Sequence, residues 1–275
     1  MDNHPNIYKF RSMNINSLSS LATNKIWFAS KDDLNDPFEG LINVIEPSSD
    51  EERITKFIEF GAEAVEKKSN LSTEDAKNVV LKRYIDSPEE FLEFVEERRS
   101  SFIDELDYHQ KKLGIFSTSS DIPNDERTQV SNMLLWSHYA DEFKGFCIQY
   151  DLELLRDSLE TMNAESFAWT KVNYIDKPHS IDIFEKINES AISYLKSIQC
   201  KHEQWLYECE IRLISTTTGL KSFSPSAVKS IYIGERMPKE ERDLLVGVVK
   251  HNLPETDMYS VSIGKGQFAL SINKI

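Results

Sequence analysis

Residues 133–151 read MLLWSHYADEFKGFCIQYD. The apolar start around Leu134, Leu135 and Trp136 predicts a helix over 128–141. A charged turn follows at Asp141 and Glu142, and Gly145 opens a short apolar strand that runs to Tyr150 and Asp151. Trp136, Ser137, His138 and Tyr139 are four consecutive residues that can all donate hydrogen bonds. Buried, each polar tip needs a partner; gathered in a cleft, the tips can grip a ligand. The stretch therefore predicts a helix followed by a strand and marks where a site lies, without saying which reaction occurs there.

Outward from this stretch, strand signals come at 7–10, 25–30 and 114–119. Asn14 or Asn16 caps a short helix between the first two strands. A polar loop covers 31–39. Residues 49–110 change character: they are rich in Glu and Lys, with apolar positions such as Ile54, Phe57, Ile58, Phe91, Phe94, Val95, Phe102 and Leu106 at helical spacing. That pattern predicts two or three amphipathic helices with starts near Ser72 and at Ser87-Pro88, their acidic runs forming solvated faces. Further on, a helix is expected over 181–199 and a long alternating strand over 205–215. A helical turn is expected at Ser224-Pro225, a strand over 229–233, a helix from Pro238 to about His251, and a closing hairpin around Gly264-Lys265-Gly266. Strands lie at both ends and helices in the middle. The expectation is a single α+β domain over 1–275, built on a mixed sheet, with a helical insertion at about 49–110.

Composition narrows the function classes. With 275 residues, 40% hydrophobic and 11% aromatic, the chain can build a sizeable core. A formal net charge of -14 argues against a general nucleic-acid coat or an anionic membrane surface as partner. Cys147, Cys200 and Cys209 show neither a disulfide framework nor zinc-ligand spacing, so no cysteine metal site is expected. The start, Met1 to Pro5, has no signal-sequence pattern, and no apolar run approaches the ~18 residues that span a bilayer. A soluble cytoplasmic protein is expected.

Four groups can carry chemistry, and each has a plainer reading. Arg11, just after the first strand, is either a surface charge or a bidentate grip for phosphate or carboxylate. Asn35 and Asp36, in Asn-Asp-Pro, are ordinary turn formers or ligands for a sugar held by a rigid turn. Ser117, in the hydroxyl-rich run 117–120, joins Trp136, His138 and Tyr139 as a third group. Adjacent Ser137 and His138 diverge and do not form a hydrolase pair. The fourth group is Glu208, Glu210 and Arg212, which on a strand share one face while Cys209, Ile211 and Leu213 face the core. They are either a solvated charged face or a carboxylate lining a cleft, with Arg212 tuning its ionisation.

The ordered set resembles one bacterial family, domain-of-unknown-function family 2971. The residues that carry the resemblance are Tyr8–Arg11, Trp27-Phe28 with Ser30, Asn35–Phe38, Trp136–Tyr139 with Gly145, and Glu208, Glu210 and Arg212. The family name carries no activity; the resemblance implies a role in phage defence or a toxin system. A more distant similarity is to ADP-ribosyltransferase-like domains, through Arg11, then Ser117 or Tyr139, then Glu210 in Glu-x-Glu. That similarity implies NAD as substrate, with transfer of ADP-ribose or hydrolysis. Glu210 would face the developing sugar cation, with His138 and Tyr139 beside it. Arg11 would sit on the pyrophosphate, and Trp136 and Tyr139 would stack on nicotinamide. The helical insertion and the Asn-Asp-Pro-Phe block are not standard parts of that fold. Two rival readings remain: a non-enzymatic regulatory protein that binds a small ligand, a nucleotide or a protein partner, and a metal-dependent nuclease using Asp36, Asp121, Glu208 and Glu210.

Overall fold

Strand β1 (Asn6–Arg11) is an interior strand of the main sheet in the structure, a computed structural model that describes residues 6–45, 47–122, 128–184 and 195–275. On one side it pairs antiparallel with β5 (Phe146–Asp151) at six register positions, from Asn6↔Asp151 to Arg11↔Phe146. On the other it meets β4 (Gly114–Ser120), at Ile7↔Ser120 and Tyr8↔Ser119. Strand β10 (Glu210–Ser215) extends the sheet beyond β4, and β6 (Phe167–Lys171) extends it beyond β10. Past β5 come β12 (Val228–Gly234), β13 (Asp257–Ile263) and β14 (Leu270–Lys274). The eight strands run in the order β14-β13-β12-β5-β1-β4-β10-β6. All neighbours are antiparallel except β12 and β13, which are parallel and joined by the helix Lys239–Asn252, as a crossover connection requires.

The chain divides into two compact units. Unit 1 comprises Met1–Pro37, Lys112–Tyr174 and Lys201–Ile275 and contains the sheet. One sheet face carries Ile7, Phe116, Ile148, Ile211 and Leu213, packed with Leu21 of α1 (Ile15–Thr23), with Leu155 and Leu159 of α6 (Leu152–Asn163), and with Leu245 and Val249. The other face carries Tyr8, Phe10 and Cys147 under Leu135 and Trp136 of α5 (Met133–Tyr139). Both caps follow local rules: the Asn14 side chain accepts from Ser17 N and that of Asp151 from Leu154 N.

Unit 2 comprises Phe38–Lys111 and Ile175–Cys200. Three helices occupy the Glu- and Lys-rich stretch: α2 (Asp50–Lys68), α3 (Thr73–Asp86) and α4 (Pro88–Lys112). Ser49 and Ser72 cap the first two, and Pro88 stands first in the third, where its missing N–H costs nothing. Phe91, Phe102, Leu106, Ile181 and Ile183 form the apolar core of this unit. The parallel pair β3 (Ile42–Ile45) and β8 (His179–Asp182) belongs to it too. The architecture is the α+β one expected, a mixed sheet with a helical segment.

Several local expectations are corrected. Residues 205–215 are not one strand. A 3-10 turn covers Glu203–Glu208, and Cys209 adopts a left-handed φ of 46° before β10 begins. That conformation ends the turn and resets the side-chain alternation, so Cys209 is half-buried rather than a core residue. The helix expected over 181–199 does not start at Ile181, which lies in β8; much of the rest falls at 185–194, outside the described residues. The helix expected over 128–141 is broken at Asn132, whose side chain caps α5 by accepting from Leu134 N at 3.1 Å. The sequence reading missed α6, although Asp151 with Leu152, Leu155 and Leu159 is a capped amphipathic start.

The turn after α5 is strained. Asp141, Glu142 and Phe143 have φ of 44°, 54° and 69° in succession. Backbone bonds on both sides hold it, from Gly145 N to Ala140 O at 2.8 Å and from Arg236 N to Phe143 O at 3.1 Å. Gly145 is required there because a Cβ would collide with the main-chain oxygen of Arg11. No helix among the described residues is long and apolar enough to cross a membrane.

Candidate functional site

Glu208 and Glu210, on either side of the left-handed Cys209, are both buried. Arg212 lies two residues along β10 from Glu210, on the same face, and is 0% exposed. Its Nε donates to Glu210 Oε1 at 2.8 Å and a terminal nitrogen to Oε2 at 3.1 Å. Lys201 supplies the second cation, 3.3 Å from Glu210 Oε2 and 2.7 Å from Glu208 Oε2. The Lys201 ammonium also sits 4.6 Å from the centre of the Trp205 ring. Burial alone would raise the Glu210 carboxyl, but Arg212 and Lys201 outweigh it and hold its pKa at about 2.

The network continues outward through Glu208. Its Oε1 accepts the Tyr139 hydroxyl, and that hydroxyl accepts from Asn35 Nδ2 at 2.9 Å. Burial, and then the neighbouring Glu208 charge, push the Tyr139 phenol well above its usual range. Asn35 is exposed, so this chain runs from the surface to the buried carboxylates. His138 Nδ1 lies 2.9 Å from the Tyr207 hydroxyl, one residue before Glu208. Ser117 faces Arg212 across the β4–β10 ladder, and its side chain helps to hold the Glu210 carboxyl low.

The region between β1 and β4 adds two cations. Past Tyr8↔Ser119 the two strands stop pairing. The Lys9 ammonium enters there, donating to Ser117 O at 2.6 Å, with the Phe116 ring centre 5.3 Å away. Burial, and then the positive charge of Arg11, lower the Lys9 pKa to about 7, against the opposing pull of Glu210 and Glu208. Arg11 is partly buried, its guanidinium lowered by the same desolvation. Among the described residues it makes no hydrogen bond and no ion pair.

The structure thus joins Asn35, Tyr139, Glu208, Glu210, Arg212 and Ser117 in one polar network, with His138 beside it. Trp136 is not part of that network. Its indole is 0% exposed, stacked on Phe143 at 5.4 Å, with Nε1 donating to Val130 O at 2.7 Å. It has no free face for a nicotinamide ring. Asp36 is buried in the turn after Asn35. Ser137 donates back to Met133 O at 2.9 Å within its own helix, away from His138 chemistry. Asp121 accepts from the Tyr8 hydroxyl and from Gln129 N, both at 2.9 Å. Sequence reasoning missed Lys201 and Lys9. The signal for Lys9 was present, since it shares a strand face with Arg11 two residues away. Lys201 had none; its role follows from a chain reversal that brings it back to the carboxylates.

Among families, the model described as protein of unknown function (DUF2971) matches residues 135–213. The matched stretch begins beside Trp136–Tyr139 and ends beside Arg212, so it holds both halves of the Tyr139–Glu208 link. No curated protein and no solved structure matches the chain.

Proposed function

We propose that unit 1 carries an enzyme site for NAD, cleaving the nicotinamide–ribose bond for ADP-ribosyl transfer or hydrolysis. The observation that carries this reading is Arg11, a partly buried guanidinium with no hydrogen bond or ion pair among the described residues, beside Lys9, whose own charge feels the Glu210 and Glu208 carboxylates. Two desolvated like charges side by side are costly unless an anion joins them. A substrate with an anionic pyrophosphate and a cationic ring whose charge passes to the adjoining sugar as the bond breaks suits such a site, and a pyridinium dinucleotide has that character.

In this reading the roles of the two carboxylates are reassigned. Glu210 is held by Arg212 and Lys201, so most of its charge is already neutralised, and it acts as the anchor that orients them. Glu208 is buried too, with one oxygen on the Tyr139 hydroxyl, which Asn35 reaches from the surface, and the other on Lys201; in this reading it is the carboxylate that turns to the sugar when the substrate displaces the Tyr139 contact. The C–N bond breaks, its electron pair leaves with neutral nicotinamide, and the ribosyl cation forms against the Glu208 charge. Water or an acceptor hydroxyl then attacks that carbon and passes its proton to the Glu208 carboxylate.

The test is nicotinamide release from NAD, with and without cell extract as acceptor. Glu208→Gln is expected to lose turnover by ~10²–10³-fold with affinity retained. Arg11→Ala is expected to lose affinity first. Melting temperature controls for folding. Wild-type protein that binds NAD yet releases no nicotinamide would support a second reading, a non-enzymatic ligand-binding protein, which the saturated Glu210–Arg212 pair favours. Protein that does neither would exclude the NAD reading and leave the second only for a ligand other than NAD. The nuclease reading has less support, since Lys201 and Arg212 already occupy carboxylate oxygens that a divalent cation would need.

A further inference from the structure

Unit 2 has an apolar hollow of about 500 Å³ where α2, α3 and α4 meet. Its size falls within the roughly 300–1,000 Å³ typical of small-molecule sites. Phe57, Phe91, Phe94 and Tyr84 line it with edge-on ring contacts, Phe57 to Phe91 at 4.4 Å and Phe57 to Phe94 at 5.2 Å. Gly61 lets α2 approach α3 closely, since a Cβ there would meet Val80 Cγ1 at 3.0 Å. Around the opening, Ala64, Val79 and Phe94 remain exposed, Val79 by 48% and Phe94 by 38%. Such apolar surface in contact with water is unfavourable, and an apolar ligand would relieve it.

The charges around the hollow choose among ligands. In a chain of net charge -14, the lining holds two cations, Lys68 and Arg83, and one carboxylate, Glu90. Arg83 lies 3.9 Å from Glu90. Lys68, at the exposed end of α2, makes no ion pair or hydrogen bond among the described residues. An apolar hollow with a single uncompensated cation at its edge is complementary to a chain with a terminal carboxylate.

We propose that this hollow binds an anionic amphiphile of the long-chain carboxylate class, with the alkyl chain against Phe57, Phe91 and Phe94 and the carboxylate at Lys68. The site is independent of the reading of unit 1. Titration calorimetry of the full chain with dodecanoate, below its micelle concentration, tests it. Saturable one-to-one binding is expected, and decanoate should bind about tenfold more weakly, from two fewer buried methylenes. Ala64→Trp, which fills the hollow from an exposed position, should weaken dodecanoate at least tenfold. Lys68→Glu should weaken it several-fold and reverse the preference over dodecyltrimethylammonium. Val79→Asp, on another element, provides a second blocking variant if Ala64→Trp lowers the melting temperature. Absence of saturable binding, equal affinity for the cationic amphiphile, or unchanged affinity in both blocking variants would overturn the proposal.

Discussion

The Arg212–Glu210 pair of unit 1 leaves its side chains 0% and 4% exposed, whereas the Arg83–Glu90 pair of unit 2 leaves 81% and 63%. The contrast follows from the elements. Strand β10 is paired on both edges and covered, so a charge on it must be matched inside the protein. Each of the helices α2 to α4 buries one stripe and leaves the rest to water, so its charges are solvated whether paired or not. Ion pairs in the sheet thus hold a specific geometry, while those on the helices mainly keep a charged surface soluble. A buried network of that kind is also where a ligand would meet oriented charges.

The largest test of this contrast is Arg212→Ala. It leaves Glu210 buried with one ion-pair partner, Lys201, in place of two and should cost about 3–5 kcal/mol, read as a lower denaturant midpoint. A loss under about 1 kcal/mol would mean that water reaches the pair and that the contrast is false. Acid should act next. Glu210 is held at about 2 in the fold against an ordinary 4.5, so its contribution is fully present above about pH 4.5. That contribution disappears as pH falls through the interval down to about 2, a change on the order of 3 kcal/mol. Urea melts from pH 7 to 2 should show this limb in the wild type and a flatter one in Glu210→Gln.

A smaller effect belongs to Lys9. Its pKa of about 7 lies below the ordinary 10.5, so the unfolded chain binds more protons between those values. Stability therefore rises with pH across that window. Affinity for a phosphate-bearing ligand should move the other way, falling about tenfold per pH unit above 7, as the ammonium that attracts it is lost. Pyrophosphate titrations at pH 6, 7 and 8 would show the slope, and Lys9→Met should remove it. The smallest effect is expected in unit 2. Arg83→Ala should change stability by under about 1 kcal/mol and be insensitive to pH between 5 and 9. A larger loss would put this helix surface in the same class as the sheet network.

Element types were legible wherever a local pattern suffices. Asn14 and Ser72 cap helices, Pro88 starts one, and the apolar spacing through Phe91, Val95, Phe102 and Leu106 marks the buried stripe of α4. Phe116 and Ile148 alternate onto a buried sheet face as the strand pattern requires. These are short-range signals, since caps and periodicity act within a few residues.

The site was legible only as a list of residue types. Tyr139 reaches Glu208 across 69 positions and Asn35 across 104, and no local pattern records such a pairing. The tertiary fold decided that Trp136 is a core side chain although Tyr139, three residues on in the same helix, is a polar contact. It decided that Cys209 turns left-handed and so separates Glu208 from the alternation of β10. It also brought in Lys201 and Lys9. Burial and charge partners belong to the neighbours a side chain acquires when distant segments pack, whereas helix and strand preferences belong to the residues themselves. The chain by itself therefore determined which pieces form, and the packing of β1, β4, β10 and α5 decided which of their polar groups face one another.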